Sequence, residues 1–378
     1  MIRPTARGLG TAVGSGILLL AAVLLGYREL FVLGAAGLVA VAVCAAWSLV
    51  TPAMVVDRVV APDRVQRGRP AESVVDIVVR GRLGRALRLW DGVRDEHGRQ
   101  VSASTTTEVV ARPGLPTRIR LRLPTDRRGV FRVGPLRVGR ADPLGLWSAL
   151  RPVGAAERLV VWPVWHPLTG SAVGRTSQID AARDSQHTES VTFHTLREYV
   201  SGDDLRHIHW RTSARMGTLM IRRHEGASVA RTVLLVDDRA DSYAEAADFE
   251  EAVEVAASVL VSAMDDGRRI TVVSASDPAR EPVTSVTAGL DLLAAARLSG
   301  AGTSDERIRA RLRLEPSGDA LILVTGSAAD ATLARPLTSR YRSVRTVVIG
   351  TRSDVGATSA VIAAPSAGDI VARLRDRR

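Results

Sequence analysis

A chain of 378 residues, 46% of them hydrophobic, is long enough for two or three domains with apolar cores. Its single cysteine, Cys44, excludes an internal disulfide and a cysteine-based zinc site. The net charge of +11 is concentrated in residues 52–165, where 21 Arg and 11 acidic residues leave +10. Every basic side chain is Arg, which indicates the codon bias of a GC-rich bacterial genome.

Two uncharged stretches, residues 9–26 and 30–50, lie at the start of the chain. Each is close to the ~20 residues with which a helix crosses about 30 Å of hydrocarbon. The link between them, residues 27–29, is so short that the helices must form an antiparallel hairpin. A cleaved signal peptide has only one apolar stretch, and core helices show a polar stripe. The preferred interpretation is therefore a transmembrane two-helix hairpin over residues 1–51.

The placement of arginines predicts the orientation of this hairpin. Arg3 and Arg7 precede the first stretch and Arg58 and Arg64 follow the second, whereas the link carries one arginine that Glu29 offsets. The positive-inside rule places both chain ends in the cytoplasm. We predict a cell-membrane protein with two spans and cytoplasmic soluble domains.

Residues 52–165 alternate apolar and polar side chains between turn residues, most clearly at 73–80, 118–123 and 131–140. Alternation with a period of two, punctuated by Gly and Pro, is typical of half-buried antiparallel strands. Roughly seven strands over this length predict a β-sandwich-like domain.

The exposed arginine rows of this domain, such as Arg118, Arg120 and Arg122, have three interpretations. They form a solvated strand face, contact anionic lipid headgroups beside the membrane, or bind nucleic acid. Nucleic-acid binders usually place stacking aromatic residues among the basic ones, and only 4% of this chain is aromatic. We therefore expect no nucleic-acid partner and keep anionic lipid headgroups as the alternative to plain solvation.

The segment 166–230 holds the most distinctive motif of the chain, at 193–225. The motif reads as strand, turn, helix and strand: Gly202 permits a tight turn, Asp203 or Asp204 caps the helix, and Gly217 ends it. The predicted helix has three residues on one face: Leu205, Ile208 and His209. A second strand is expected at 219–223.

Histidines in and near this motif raise the question of a catalytic or metal site: His187, His194, His207, His209 and His224. On a helix, His207 and His209 point to nearly opposite sides and cannot share a metal. A metal site of His194, His209 and an Asp stays open, as does a hydrolase triad of Ser201, His209 and Asp203, although the chain lacks a Gly-x-Ser-x-Gly elbow. The preferred interpretation is an Arg–Asp–His network that ties the motif to a neighbouring domain, and no residue is assigned a catalytic role.

The run 197–215, Arg-Glu-Tyr-Val-Ser-Gly-Asp-Asp-Leu-Arg-His-Ile-His-Trp-Arg-Thr-Ser-Ala-Arg, resembles the signature of the bacterial domain of unknown function 58 family. Residues 127–136, residues 142–146 and the N-terminal hairpin resemble the same family, so the resemblance extends over most of the chain.

This resemblance implies a β domain, a von Willebrand factor A-like domain and two partners, a MoxR-type AAA+ ATPase and a transglutaminase-like membrane protein. No activity is established for the family. Its motif residues therefore carry over only as signature positions for partner interaction: Arg197, Glu198, Tyr199, Gly202, Asp203, Asp204, Arg206, His209, Trp210 and Arg211.

Residues 231–378 alternate strands with helices, which predicts a doubly wound, largely parallel α/β sheet of the Rossmann-like kind. Strands are expected at 232–236, 269–274, 320–324 and 345–349. A capping box at 242–245 opens a helix, and its apolar face consists of Phe249, Val253, Ala256, Leu260 and Ala263. A last helix begins at Ala367. This pattern agrees with the von Willebrand factor A-like domain that the resemblance implies.

Domains of that type often bind Mg²⁺ through Asp-x-Ser-x-Ser after the first strand. Residues 237–241 read Asp-Asp-Arg-Ala-Asp, so both serines are missing, and Arg239 would place a cation where a metal needs an oxygen. A later strand ends in Thr325 rather than Asp. Because hard cations need several oxygen ligands, we expect no cofactor and treat Asp237, Asp238 and Asp241 as a degenerate metal site.

These patterns predict a multidomain chain that acts as a non-enzymatic, membrane-anchored adaptor or scaffold. It would work with a MoxR-type AAA+ ATPase in envelope-related assembly or protein maturation. The alternative is a hydrolase or metal-dependent enzyme that uses the His/Asp motif at 194–211.

Overall fold

The fold is known from a computed structural model that describes residues 2–49, 54–80, 85–101, 105–142, 144–168, 195–200, 208–223, 231–276, 281–300, 304–314, 318–330, 333, 336, 338–350 and 361–376. The chain divides into two compact units, Met1–Trp162 and Pro163–Arg378, which are described one at a time. The four-segment division drawn from the sequence remains a prediction.

The first unit begins with strand β1 (Ile2–Pro4) and two long apolar helices, α1 (Ala6–Leu25) and α2 (Arg28–Leu49). The hydroxyl of Thr5 caps α1 by accepting from the amide of Gly8 at 3.0 Å. The two helices approach closely, because a Cβ at Gly37 would lie 2.0 Å from Ser15 Oγ. By length and composition, both helices can span a membrane, as the sequence predicts.

Three sheets follow in the rest of the first unit. The described residues 54–162 form eleven strands rather than the predicted seven, because β3 and β6 have only three residues each and 131–140 breaks into two strands at Gly134–Pro135. The strands are β2 (Met54–Ala61), β3 (Arg64–Gln66), β4 (Glu72–Val79), β5 (Arg85–Asp91), β6 (Val93–Asp95), β7 (Thr105–Ala111), β8 (Thr117–Arg122), β9 (Gly129–Val133), β10 (Leu136–Ala141), β11 (Trp147–Val153) and β12 (Glu157–Trp162).

These strands pair in the orders β1-β11-β10-β5-β7, β3-β12-β9-β6 and β2-β4-β8. One core lies between the first and third of these sheets, where Val75 and Ile77 of β4 pack with Leu87 and Leu89 of β5. A second core joins Phe131 and other residues of the four-stranded sheet to Val60 of β2. The period-two alternation thus corresponds to strands with one buried face, as expected.

The second unit contains a small sheet and a large one. The small sheet pairs β13 (Thr195–Glu198) with β14 (Met220–Arg223), and the short helix α3 (Trp210–Met216) precedes β14. Helix α3 has His209 as its N-cap. The predicted cap residues Asp203 and Asp204 lie outside the described residues, so the helix start expected there remains a prediction. Gly217 ends the helix in the left-handed conformation, as predicted.

The large sheet has the order β17-β16-β15-β18-β19-β20, and all its pairings are parallel except that of β16 with β17. Its strands are β15 (Arg231–Val236), β16 (Arg269–Ser274), β17 (Glu281–Pro282), β18 (Gly318–Gly326), β19 (Tyr341–Ile349) and β20 (Val361–Ala364). The accompanying helices are α4 (Ala246–Asp265), α5 (Val286–Ala295), α6 (Asp305–Leu314) and α7 (Ala367–Asp376). The first strand thus lies in the middle of the sheet.

Helix α4 has the apolar face expected from the sequence, and all five of its predicted residues are buried. Its predicted start was wrong. The capping box is formed by Glu245 and Asp248 at the beginning of Ala246–Asp265, whereas Ser242 belongs to a separate 3₁₀ turn, Ala240–Ser242. Ser242 does not cap the helix, because its hydroxyl donates a hydrogen bond to the carboxylate of Asp237.

Candidate functional site

The carboxyl edge of the large sheet is the best candidate site. In open α/β sheets, ligands bind at the carboxyl ends of the strands, where the connections from two neighbouring strands run to opposite sides. Here that point lies between β15 and β18, because β16 pairs with β15 on one side and β18 pairs with it on the other. Asp237 and Asp238 follow β15 directly, Thr325 lies near the end of β18, and Ser274 ends β16. Parallel pairing brings these polar groups to one edge.

Asp237 is the centre of a buried polar network. Its carboxylate is fully buried and accepts hydrogen bonds from Arg239 Nε at 2.9 Å and Arg239 Nη2 at 2.8 Å. The hydroxyls of Ser242 and Thr325 each donate to Oδ2 at 2.8 Å. The guanidinium of Arg239 also reaches Asp305 Oδ1 at 2.6 Å, through Nη1. Both oxygens of Asp237 are thus bound by groups of the protein itself.

Asp237 and Arg239 compensate each other's charge. Burial alone would raise the pKa of Asp237, but the hydrogen bonds and charge of Arg239, with those of Ser242 and Thr325, hold that pKa below its ordinary value. The same carboxylate raises the pKa of Arg239. Tyr243 donates its hydroxyl to the backbone oxygen of Asp237, and burial raises the pKa of that phenol well above its usual value. The network therefore holds one fixed cation at physiological pH.

Asp238 points away from Asp237. Its carboxylate accepts from the amide of Ser276 at 2.8 Å and from the hydroxyls of Ser274 and Ser276. Its backbone oxygen accepts from Ser299 N at 2.7 Å. Asp238 therefore holds the segment after β16, and the segment around Ser299, to the end of β15.

A cavity of about 380 Å³ opens beside Asp238. Its walls come from β15, β16 and the end of α5, and they are mostly apolar. The lining residues are Val236, Asp238, Val272, Ser274, Ser276, Leu292, Leu293, Ala295, Ala296 and Arg297. A cavity of this size accepts one side chain or a small molecule.

The three carboxylates of the candidate metal site diverge. Asp237 binds Arg239, Asp238 binds the segment after β16, and Asp241 lies exposed in the 3₁₀ turn. Within the described part of the chain, no three His, Cys, Asp or Glu side chains are grouped closely enough to hold a metal ion. The guanidinium of Arg239 lies against the carboxylate of Asp237, so a cation of the protein occupies the position beside the first aspartate of the candidate metal site.

The signature segment is described in part. His209 caps α3, and its Nδ1 accepts from Thr212 N at 3.1 Å. Ser213 lies behind this cap, donating to His209 O at 3.1 Å and accepting from Met220 N at 2.8 Å. These bonds tie α3 to β14.

Other signature positions are spread along this segment. The indole of Trp210 is 68% exposed, and Glu198 and Arg211 are exposed as well. Tyr199 is half-buried, and its amide donates to Leu219 O at 2.7 Å, while Arg197 belongs to β13. The remaining candidates lie outside the described residues: His187, His194, Ser201, Gly202, Asp203, Asp204, Arg206, His207 and His224. The Arg–Asp–His network, the histidine metal site and the Ser201 triad therefore remain hypotheses.

Several residues of the carboxyl edge were not predicted from the sequence. Ser274 and Ser276 had a readable signal, because two polar residues at the end of an apolar strand predict an edge site. Asp305 and Ser299 had none, since they reach the site from 66 and 61 residues further along the chain.

Comparisons with solved structures give low similarity. The CARDB domain of a Pyrococcus furiosus protein is 15% identical, with a TM-score of 0.21, and the match covers 29% of this chain and 94% of that one. A β-glucosidase from Listeria innocua is 12% identical, with a TM-score of 0.21 and coverage of 29% and 16%. At these values, neither likeness supports a statement about fold or function.

Comparisons by sequence are more informative. "Uncharacterized protein YeaD" of Bacillus subtilis (strain 168) is 32% identical over 143 residues, which are 37% of this chain and 34% of YeaD. The chain thus spans about a third of the length of this relative. The matched family model covers β13 to most of β19, while residues 127–146 and the hairpin lie outside it. Residues 195–348 match the model of the family described as "Protein of unknown function DUF58".

Proposed function

We propose that this protein is a non-enzymatic adaptor and that its helical hairpin anchors it in a membrane. Two apolar N-terminal helices followed by sheet-rich domains are consistent with a membrane-associated protein. The proposal assigns the soluble domains to the cytoplasm, because the arginines that flank the hairpin lie at its chain ends.

The observation that carries the proposal is the pairing of Asp237 with Arg239. A carboxylate that acts as a general base, a nucleophile or a metal ligand needs an oxygen that is available to react. Both oxygens of Asp237 are instead bound by a buried guanidinium and two hydroxyls. Separating a buried ion pair costs ~3–5 kcal/mol, so this carboxylate is fixed in place. We infer that the carboxyl edge is a rigid recognition surface.

We infer further that the second unit contains a von Willebrand factor A-like domain. The order of its parallel strands, with the first strand central, and an Asp directly after that strand support the assignment. Arg239 and Asp241 occupy the positions where such domains carry the serines of a metal motif. In this protein the arginine would supply internally the positive charge that a bound metal otherwise supplies.

The proposed partner is a MoxR-type AAA+ ATPase, with a transglutaminase-like membrane protein as a second partner. The adaptor would hold the ATPase beside envelope proteins that it assembles or matures. The cavity beside Asp238 offers a place for one partner side chain, because apolar walls surround a carboxylate and two hydroxyls.

Co-purification of the full chain with the MoxR-type ATPase of the same bacterium tests this function. Ala295 is exposed and lines the cavity, so Ala295→Trp should fill the cavity and reduce the bound ATPase about ten-fold, which is 1.4 kcal/mol in affinity. Ala372→Trp is the matched control, because Ala372 is exposed on α7 and does not line the cavity. No ATPase with the wild-type chain, or equal loss in both variants, would argue against this docking site.

The enzymatic alternative predicts a different result from the same preparation. A hydrolase or metal-dependent enzyme built on residues 194–211 should contain stoichiometric metal or react with an active-site probe. Elemental analysis and reaction with an active-site probe, both on the purified full chain, distinguish the two functions, since an adaptor should give neither bound metal nor probe labelling.

A further inference from the structure

The outward face of the five-stranded sheet places two arginines beside one strand. Strand pairing sets Arg3 of β1 opposite Ser148 of β11, and Arg137 of β10 opposite Pro152 of β11. Directly paired residues share a face of a sheet, and so do residues two apart on a strand. Ser148, Leu150 and Pro152, with both arginines, therefore lie on one face.

A cavity of about 390 Å³ lies on this face. Its lining residues are Arg3, Arg137, Ser148, Leu150 and Pro152, so among the described residues the lining contains two cations, one hydroxyl and no acid. Arg137 is held in place by Trp90, whose ring centroid lies 4.7 Å from Cζ of the arginine. Stacking uses the face of a guanidinium and leaves its in-plane N–H groups able to bind oxygen. The cavity suits a phosphate group.

The cavity lies close to the start of the hairpin. Arg3 is three residues before Ala6, the first residue of α1, and three residues span at most ~11 Å. The amide of Thr5 donates to Leu146 O at 2.9 Å, and the indole of Trp147 donates to Val41 O of α2 at 3.1 Å. These bonds fix the start of β11 beside both helices. Because Arg3 lies just before the first residue of α1, an anchored hairpin would put the cavity near the end of the hairpin at which the chain enters the membrane.

We propose that this cavity binds the phosphate of an anionic phospholipid in the leaflet that faces the chain ends of the hairpin. The guanidinium groups of Arg3 and Arg137 pair with the phosphate oxygens, the Ser148 hydroxyl donates a further hydrogen bond, and Leu150 and Pro152 contact the apolar part of the headgroup region. The inference rests on the membrane anchoring proposed above and adds a specific lipid site to it.

Native mass spectrometry of the full chain in a neutral detergent tests the site, with phosphatidylglycerol and phosphatidylcholine added in equal amounts. The wild-type chain should retain phosphatidylglycerol preferentially. Arg137→Gln and Arg3→Gln should each lower that preference about five-fold, equivalent to the ~1 kcal/mol that one arginine contributes at an anionic surface. Arg137→Lys keeps the positive charge and should therefore retain part of the preference for phosphatidylglycerol.

Arg151→Gln is the matched control. Arg151 is exposed on the same strand between Leu150 and Pro152, and its side chain belongs to the opposite face of the sheet. The substitution Arg151→Gln removes the same charge as the two test substitutions. If it lowers the preference for phosphatidylglycerol equally, net charge explains the preference and the proposed site is refuted. Unchanged melting temperatures in all variants should accompany the expected result.

Two further measurements complete the test. Competition with inorganic phosphate distinguishes a lipid site from a site for free phosphate, and a carbonate wash tests the membrane anchor separately from the headgroup site. Inorganic phosphate that displaces phosphatidylglycerol at equal concentration would show a site for free phosphate and overturn the lipid assignment. Membranes washed with alkaline carbonate report on anchoring alone, because a spanning chain stays in the pellet. A chain that stays in the pellet without lipid preference refutes the headgroup site and leaves the anchor intact, whereas a chain released by carbonate refutes both.

Discussion

Arg239 brings a fixed positive charge into a position where a metal ion would bind carboxylate and hydroxyl oxygens. Replacing it with serine in Arg239→Ser removes the guanidinium from Asp237 and adds a hydroxyl in its place. Because an unpaired buried carboxylate remains, we expect a loss of ~3–5 kcal/mol in the free energy of unfolding. Mn²⁺ should recover part of that loss, since oxygen ligands from Asp237, Ser242 and Thr325 then surround an empty position.

Thermal unfolding of the full chain with and without Mn²⁺ measures both effects. Arg309→Ser is the control, because Arg309 is partly exposed and its contact with Asp330 is 3.8 Å long. The control should change stability by less than about 1 kcal/mol and should gain nothing from Mn²⁺. A wild-type chain that is itself stabilised by Mn²⁺ would contradict the assignment of Arg239 as the internal cation.

The lowered pKa of Asp237 predicts how the second unit responds to acid. A carboxyl whose pKa is lower in the folded than in the unfolded state stabilises the fold above its unfolded pKa of about 3.9. That contribution is lost as the pH falls from there through the folded pKa. Asp237→Asn should therefore be less stable than the wild type at pH 7, and the difference should shrink below about pH 4. Melting curves from pH 7 to pH 3 measure it, and a constant difference would contradict the assignment.

At the residue scale, the sequence placed three residues of the carboxyl edge and did not predict the groups that contact them. Asp237, Arg239 and Thr325 could be placed at the carboxyl edge because each lies at the end of an apolar strand or shortly after it. Asp305 could not, because the loop that brings it to Arg239 has no periodic pattern to align. The exposure of Asp241 was hidden too, since the 3₁₀ turn depends on the hydrogen bond from Ala240 N to Ser299 O.

Among the elements, helix α3 depends on an unusual cap. The imidazole of His209 accepts from the amide of Thr212, where a smaller polar residue is usual. His209→Ala should leave that amide unsatisfied and cost about 1 kcal/mol locally. His209→Asn should retain the cap, because an amide oxygen also accepts.

Hydrogen exchange of the full chain, read in peptides that contain Thr212 and Ser213, separates the two variants. The alanine variant should exchange about five-fold faster than the wild type, and the asparagine variant should not. Equal exchange in both variants would mean that the cap contributes nothing to the helix.

Arg58 joins strands of all three sheets of the first unit. Its buried guanidinium lies 3.3 Å from Asp91 of β5, 3.2 Å from Glu157 of β12 and 2.8 Å from the carbonyl of Val133 in β9. Gly134 beside it has a φ of +91°, and a Cβ there would lie 2.4 Å from Nη1 and 2.9 Å from Leu136 N, so both the backbone and the space favour glycine. Burial raises the pKa of Asp91, although Arg58 opposes the shift, which indicates that Asp91 depends on this cation.

Arg58→Ala should therefore lower the free energy of unfolding by ~3–5 kcal/mol. Arg132→Ala is the control, because Arg132 is exposed on β9, and it should change stability by less than about 0.5 kcal/mol. Chemical unfolding of the full chain in detergent, followed through tryptophan fluorescence, measures both. Similar losses of stability in the two variants would show that the buried contacts of Arg58 contribute no more than an exposed arginine does.

Periodicity identified the kinds of element correctly and their ends less well. The strict alternation of 118–123 corresponds to β8, and the apolar face of α4 is buried as expected. Strand ends and helix starts depend on tertiary hydrogen bonds instead. Ser242 has the sequence of a cap and bonds Asp237, while the three-residue strands β3 and β6 are too short to show a period.

For the whole molecule, the hairpin and the residues before it also take part in the β domain. Residues before α1 supply strand β1, which covers the edge of β11, and Trp147 bonds the backbone of α2. Uncovered edge strands promote aggregation. The sequence could not predict this pairing, because three residues at the start of a chain have no readable period.

The proposed orientation can be tested with single cysteines, because Cys44 is the only native one and Cys44→Ser gives a cysteine-free chain. Tyr27 lies in the link between α1 and α2, and Ala156 lies exposed between β11 and β12. With both chain ends in the cytoplasm, Tyr27→Cys should react with an impermeant maleimide on intact spheroplasts. Ala156→Cys should react only after permeabilisation.

Each other labelling pattern has a definite meaning. The reverse pattern would place the β domain outside the cytoplasm and rule out a cytoplasmic ATPase as its direct partner. Reaction of Ala156→Cys and Tyr27→Cys only after permeabilisation would mean that the hairpin does not cross the membrane. The predicted pattern leaves one arginine, Arg28, in the link on the far side, where Glu29 offsets its charge. Glu29→Arg should weaken the pattern by adding positive charge on that side. The fraction of Tyr27→Cys labelled in intact cells should then fall.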